Sequence, residues 1–321
     1  MEWRATSNAM NLPQRAYELL EQQKTDWDVL RDGYASLARV ETRTFDFDGF
    51  QVQLHFNPGR LASSAAKVDA ASIAQRPCFL CPQNRPDQQR ALPLHDDLVL
   101  LCNPFPIFPE HFTIPTLSHQ PQRIRPIFPL MLDLAREMSP RYTVFYNGPQ
   151  SGASAPDHLH LQAGNAGFTP IDREYALLAK TPLMERGGFR ALAADRYLRR
   201  FVSFEGRDRG AIVGAFELLH ATLDPSPDEP MLNVFATHVG DEWRVIVFPR
   251  DKHRPSAYFA EGDAKFLLSP GAVDMAGAVI MPVQRDFERI TKDDLVRMYD
   301  EVTLNAERFA RLVDAVRKGH P

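Results

Sequence analysis

The sequence has few cysteines, no long hydrophobic run and no strong excess of charge. Three cysteines among 321 residues do not make a disulfide framework. No stretch approaches the ~20 consecutive apolar residues that a membrane helix needs. The first residues, Met1–Thr6, lack the basic region followed by an apolar one that marks a secretory leader. We therefore expect a cytoplasmic protein without a membrane partner.

The charge balance limits the kinds of partner. Lysine and arginine total 37 and aspartate and glutamate 41, so the net charge is −4. Such a chain has no global attraction to nucleic acid, and any phosphate binding must be local. The length allows one large domain or two of ordinary size, and an apolar fraction of 44% is ordinary for a globular protein.

Hydrophobic periodicity predicts an α+β fold. Apolar residues recur at helical spacing in some segments and alternate in others. Helices are expected over 16–37, 124–138, 211–223 and 292–316, hairpins over 45–56 and 232–248, and strands over 98–102, 142–147 and 157–162.

The second half of the chain has features in common with the first. Phe248-Pro249, followed by His253, is similar to Phe108-Pro109, followed by His111. This similarity predicts two related α+β halves, residues 1–165 with the N-terminal helices and residues 166–321. Because the second half has no His-x-His pair, it is expected to be the degenerate one.

The segment His158-Leu159-His160-Leu161-Gln162 is the strongest candidate for chemistry. On a strand, alternate side chains share a face, so His158, His160 and Gln162 are expected to point into one cleft. Imidazole is a good nucleophile at phosphorus because it is uncharged at neutral pH. His160 would attack the phosphorus, and Gln162 would hold the same phosphate.

A loop of small residues precedes this strand. Its backbone N–H groups could face a phosphate and stabilise oxygen charge. The expected substrate-binding residues here are Asn147, Gly148, Ser151, Gly152, Ala153 and Ser154.

Cys78 and Cys81 form a Cys-x-x-Cys pair, a spacing typical of a metal or redox site. The surrounding segment, 57–90, is rich in Ala, Ser, Pro, Gln and Arg and has no other obvious anchor. It is expected to be a long loop held by whatever the cysteines bind. An unused pair of buried cysteines is the alternative.

The His158–Gln162 segment, with the loop before it, resembles the His-x-His-x-Gln branch of the histidine triad superfamily. That branch includes galactose-1-phosphate uridylyltransferase, diadenosine tetraphosphate phosphorylase and GDP-L-galactose phosphorylase. The resemblance implies two histidine-triad-like halves with antiparallel sheets flanked by helices. It also implies that His160 is the nucleophile and carries a covalent nucleotidyl intermediate.

The cysteine pair is similar to the zinc motif of the uridylyltransferases. That likeness implies that His111, in Pro109-Glu110-His111, and His158 complete the ligand set. Two thiolates and two imidazoles suit a tetrahedral structural zinc ion. Zinc is therefore the expected cofactor, and no organic cofactor is expected.

A basic segment near residue 250 is similar to the C-terminal half of bacterial relatives of the phosphorylases. Arg250 and Lys252 would contact phosphate or a phosphorylated sugar. A solvated basic loop is the alternative. The Gly-containing segment 269–277 is expected to be either a ligand loop or a turn.

The combined prediction is a nucleotidyltransferase that binds a nucleotide and a phosphate or sugar-phosphate acceptor. Leu159 stands where the uridylyltransferases usually have proline, which favours phosphorolysis of a nucleotide sugar or dinucleoside polyphosphate. The alternatives are a hexose-1-phosphate uridylyltransferase and a zinc-stabilised nucleotide-binding sensor without turnover. The nucleobase, the sugar and the acceptor stay open, as does a homodimer.

Overall fold

A computed structural model describes residues 11–65, 68–95, 97–223 and 229–319. The prediction that Met1–Thr6 lack the pattern of a secretory leader concerns residues outside these ranges. Within them, helices are too short or too polar to cross a membrane. The α+β prediction is confirmed, because helices and antiparallel strands both recur along the chain.

Strands occupy both halves of the chain. They are β1 Glu41–Phe47, β2 Phe50–Phe56, β3 Ala91–Pro93, β4 Val99–Cys102, β5 His111–Pro115, β6 Tyr142–Asn147, β7 His160–Asn165, β8 Thr181–Arg186, β9 Phe189–Ala194, β10 Phe201–Gly206, β11 Leu232–Val239, β12 Glu242–Pro249 and β13 Ala278–Met281.

Helices fall at the predicted positions, with shorter ones between them. The α-helices are α1 Leu12–Asp26, α2 Asp28–Leu37, α3 Leu61–Ser64, α4 Ala70–Ala74, α5 Phe128–Glu137, α6 Pro170–Glu174, α7 Arg209–Thr222, α8 Ser256–Phe259, α9 Ala272–Met275, α10 Gln284–Arg289, α11 Lys292–Val302 and α12 Ala306–Lys318, and 3₁₀ turns span Pro58–Arg60, Pro82–Asn84 and Gly262–Ala264.

Ten strands form one continuous sheet in the order β3-β4-β5-β7-β6-β11-β12-β10-β9-β8. The first five of these positions belong to the first half of the chain and the last five to the second. Counted outward from the centre of the sheet, the strand that corresponds to β6 is β11. In the same way β7 corresponds to β12, β5 to β10, β4 to β9 and β3 to β8. Each half therefore uses its five strands in the same chain order.

The two faces of the large sheet pack against different layers. One face buries apolar side chains against α1, α2, α5, α7 and α12. The other packs against a three-stranded sheet of β1, β2 and β13 and against α9, α10 and α11. Alternation along β6 shows this division, because Val144 belongs to the first core and Phe145 to the second.

Two features of the second half differ from the sequence prediction. Strands β8 and β9 were not anticipated, although Gly187 and Gly188, both at positive φ, are a typical two-residue hairpin turn. The prediction that Phe108-Pro109 and Phe248-Pro249 occupy corresponding positions in the two halves is also wrong. Phe108-Pro109 precedes β5, whereas Phe248-Pro249 ends β12, the counterpart of β7.

Candidate active site

A cleft of about 990 Å³ lies between the first-half strands of the large sheet and the layer that contains the small sheet. Thr113, Phe145, His160 and Gln162 form its floor, since alternate residues of the central strands point to this side. The segment before β13 contributes the opposite wall, including Asp274. The cleft is large enough for a nucleotide-sized ligand.

His160 opens strand β7 and is almost fully buried. Its Nδ1–H donates a hydrogen bond to the backbone oxygen of His158 at 2.8 Å. This bond fixes the tautomer, so the lone pair is on Nε2. Burial lowers the pKa of His160 to about 4, so the ring is neutral at physiological pH. A neutral imidazole in the cleft lining has the protonation state of a nucleophile.

Gln162 lies two residues further along the same strand, as predicted, and also lines the cleft. His111 accepts a hydrogen bond at Nδ1 from the Ile107 amide, so its Nε2–H donates to Gln162 Oε1 at 3.0 Å. With its oxygen occupied, the Gln162 side chain has its NH₂ group to offer to a phosphate oxygen. His111 is therefore a positioning residue for Gln162.

Gln122 is a buried residue that the sequence pattern did not indicate. Its Oε1 accepts from the His160 amide at 2.7 Å, and its Nε2 donates to the backbone oxygens of Asn147 and His160 at 2.9 and 3.0 Å. These bonds join the end of β6 to the start of β7. A single side chain thus fixes the backbone from which the His160 side chain projects.

Replacing Gln122 with leucine is expected to lower kcat about tenfold to 100-fold with a smaller change in KM, because the His160 backbone loses its support. Three buried hydrogen bonds are lost, so the free energy of unfolding should fall by about 2–3 kcal/mol. Steady-state kinetics and chemical denaturation measure both effects. Gln120→Leu is the matched control, since that side chain reaches Asp97 and Ser118. Equal kcat values for the two variants would contradict this role.

The predicted phosphate loop lies only partly in the cleft. Asn147, Gly152 and Ser154 line it. The amide of Gly148 donates to Leu232, and the amides of Ser151 and Ala153 both donate to Gly148. Gly148, Ser151 and Ala153 are therefore corrected from substrate-binding to loop-forming residues.

Gly152 has φ of +98°, and a Cβ there would lie 2.5 Å from Gly271 Cα. The two loops touch at these glycines because neither has a side chain. This contact explains why the segment 269–277 has a glycine at position 271. It closes against the phosphate loop, and Ser269, Gly271 and Asp274 within it also line the cleft.

Arg250 is buried. Among the described residues, neither Arg250 nor Lys252 lines the cleft. Arg250 Nη1 donates to Asn233 Oδ1 at 2.7 Å, and Asn233 Nδ2 donates to Asn147 Oδ1 at 2.9 Å. Lys252 instead forms an ion pair with Glu301 at the surface. The prediction of substrate contact is corrected for both: Arg250 supports Asn147 through Asn233, and Lys252 lies outside.

Four potential metal ligands converge beside the cleft: Cys78, Cys81, His119 and His158. Their ligand atoms all lie within 4.8 Å of one another, with Cys78 Sγ 3.2 Å from His158 Nδ1 and Cys81 Sγ 3.2 Å from His119 Nδ1. This Cys₂His₂ cluster could bind a metal ion. His111 is wrong as the fourth ligand, because both of its nitrogens are engaged beneath Gln162.

The hydrogen bonds around the cluster orient its ligands. His158 Nε2–H donates to the backbone oxygen of Thr116 at 2.8 Å, which directs the Nδ1 lone pair towards the cysteines. Burial alone would raise the pKa of Cys78, but its interaction with His158 and the hydrogen bonds from the Leu80 and Cys81 amides outweigh it, and the pKa falls to about 6. These contacts favour the thiolate form of Cys78 that a metal requires, whereas burial and the neighbouring Cys78 raise the pKa of Cys81.

Two arginines in the cleft were not predicted. Arg60, at the end of a 3₁₀ turn, and Arg76, just before the cysteine pair, both line it. They come from the 57–90 segment, which has no regular periodicity to place its side chains. Their only sequence signal is positive charge close to the Cys-x-x-Cys pair.

The fold is shared with the yeast Ap4A phosphorylase Apa2. Its structure superimposes with a TM-score of 0.60 and 18% identity, covering 92% of this chain and 94% of that one. The Ap4A complex of Apa2 gives 0.62 and 18%, covering 90% and 97%, and the AMP complex gives 0.56 and 17%, covering 92% and 98%. The chain and Apa2 therefore share one fold along nearly their whole lengths.

Two family models match parts of the chain. Residues 217–319 match the GDPGP1-like C-terminal domain, and residues 19–165 match a domain of unknown function, DUF4922. No curated protein sequence matches the chain. The two matched segments lie one in each half of the chain, and the fold of Apa2 extends over nearly all of it.

Proposed function

We propose that the protein is a nucleotidyltransferase that cleaves a nucleotide sugar or a dinucleoside polyphosphate with inorganic phosphate. One observation carries the proposal: Nε2 of a neutral, tautomer-locked His160 lies in a nucleotide-sized cleft beside Gln162 and Asn147. The likeness to Ap4A phosphorylase, a protein that acts on such a substrate by its name, agrees with this chemistry.

The reaction has two displacements at one phosphorus atom. The His160 Nε2 lone pair forms an N–P bond to the α-phosphate while the P–O bond to the departing phosphate breaks and its electron pair stays on that oxygen. An oxygen of inorganic phosphate then attacks the same phosphorus, and the N–P electron pair returns to Nε2. The Gln162 NH₂ group and the Asn147 side chain stabilise the charge on the transferred phosphate.

The metal that the cluster fits is zinc, held by Cys78, Cys81, His119 and His158. When bound, zinc supplies a structural cross-link rather than a reacting group, since all four protein ligands complete a tetrahedral site. The cross-link would fix the position of His158, whose backbone oxygen accepts the hydrogen bond from His160.

A substrate screen with intact-mass readout tests the proposal. The protein is incubated with Ap4A or with ADP-, GDP-, UDP- or CDP-glucose, and the mass is recorded under alkaline conditions that preserve a phosphohistidine. We expect a nucleoside monophosphate adduct that disappears when inorganic phosphate is added, with release of a nucleoside diphosphate.

The same screen separates the alternatives. Discharge of the adduct by galactose 1-phosphate but not by phosphate would identify a uridylyltransferase. Binding of these nucleotides without any adduct or turnover would identify a sensor and overturn the covalent mechanism.

A further inference from the structure

Arg60 and Arg76 are the only lysine or arginine residues in the cleft lining of the described chain. A substrate with two or more phosphates brings several negative charges into this space, and those charges need cations or hydrogen-bond donors. The proposed mechanism assigns only neutral donors, Gln162 and Asn147. The charge requirement therefore falls on the two arginines.

The arginines lie at opposite ends of the segment that carries His160. Arg76 Nη2 donates hydrogen bonds to Asp157 Oδ1 at 3.0 Å and to the Ser154 backbone oxygen at 3.4 Å, and both acceptors precede β7. Arg60 lies near His111, since its charge adds to burial in lowering the pKa of His111 to about 3. His111 bonds Gln162, at the other side of His160.

The surroundings of the two guanidinium groups differ. Arg60 is partly buried, donates to the Phe105 backbone oxygen at 2.7 Å and is near the carboxylate of Asp274. Burial lowers its pKa to about 10, so it remains charged at neutral pH. Arg76 is about a quarter exposed, at 26% of its side chain, and its buried Nη1 has no hydrogen-bond partner among the described residues. An unpaired buried donor is costly unless a ligand satisfies it.

We propose that Arg60 and Arg76 are the phosphate-binding cations of the cleft and flank His160. Arg60 holds the phosphate that is transferred, because its charge lies near His111, the residue that positions Gln162, and can stabilise the transition state on that side of His160. Arg76 holds the phosphate that departs and the phosphate that arrives, because its Nη1 has no partner among the described residues and can donate to each phosphate in turn. This inference rests on the proposed function and names the residues that give its phosphate specificity.

Arg60→Gln and Arg76→Gln test the two roles. We expect Arg60→Gln to slow adduct formation about 100-fold and lower kcat similarly, with KM for inorganic phosphate within about threefold of wild type. Arg76→Gln is expected to raise KM for inorganic phosphate at least about tenfold. Arg207→Gln is the matched control, because Arg207 pairs with Asp241 at the surface.

Lysine variants at the same positions distinguish charge from folding. Arg60→Lys and Arg76→Lys keep the charge and should recover about tenfold of each loss, although lysine cannot form the bidentate contact. Thermal unfolding of every variant shows whether the fold is retained. If a glutamine variant unfolds, the kinetics of the lysine variant at that position test the role instead.

The outcomes separate the inference from the function on which it rests. If wild type forms no adduct with any nucleotide, the proposed function fails. If wild type forms the adduct and both glutamine variants match it within twofold, only the roles of the two arginines are overturned. An exchanged pattern, with the phosphate KM altered by Arg60→Gln alone, would overturn the division of roles.

Discussion

His160→Asn is expected to abolish the nucleotidyl adduct and to lower phosphorolysis at least about 10⁴-fold, the scale seen when a covalent nucleophile is removed. Asparagine keeps a hydrogen-bonding side chain of moderate size, so the backbone bonds to Gln122 should persist. Intact mass after incubation with substrate measures the adduct, and release of nucleoside diphosphate measures turnover.

His95→Asn is the control for this experiment. His95 lies at the surface, where its Nε2 is 3.1 Å from Glu137, and it does not line the described cleft. Its adduct and turnover should equal those of wild type. An adduct that survives in His160→Asn, or that maps by peptide analysis to His111, would show that another imidazole is the nucleophile.

Cys78→Ser is expected to remove the metal and to destabilise the protein strongly. A site filled at a thousand times its dissociation constant stabilises the fold by about 4 kcal/mol, and that contribution is lost with the ion. Turnover should fall as well, because His158 joins the cluster and its backbone oxygen fixes the His160 tautomer. Elemental analysis of purified protein and thermal unfolding with and without a chelator measure these effects.

Cys102→Ser is the matched control for metal binding. Cys102 is buried in the core and lies outside the cluster. This variant should keep the wild-type zinc content even though a hydroxyl group replaces a buried thiol. Equal and negligible zinc in wild type, Cys78→Ser and Cys102→Ser would refute the metal site.

The placement of His160 and Gln162 on one strand face could be predicted from the sequence because its evidence is local. Alternation places His160 and Gln162 on one face, and the structure confirms that both line the cleft. The hydrogen-bond partner that fixes the tautomer of His160 could not be predicted. It is the backbone oxygen of His158, and its direction depends on the chain path before the strand begins.

The metal ligands show where local evidence ends. His111 and His119 are both close in sequence to β5, and only the path of the chain after that strand selects between them. Residues 116–120 run beside Leu159, whose amide donates to Gln120, and this pairing brings His119 to the cysteines. That long-range contact has no sequence signal, and the only signal for Arg60 and Arg76 in the 57–90 segment is their positive charge.

The continuous sheet means that the half without the His-x-His pair is still needed by the other half. Asn233 on β11 and Arg250 after β12 hold Asn147 in place, and β6 pairs directly with β11. Residues 1–165 alone would expose β6 as an unpaired edge, a template for self-association. A fragment that carries every proposed reacting group would therefore lack the contacts from the second half that hold Asn147.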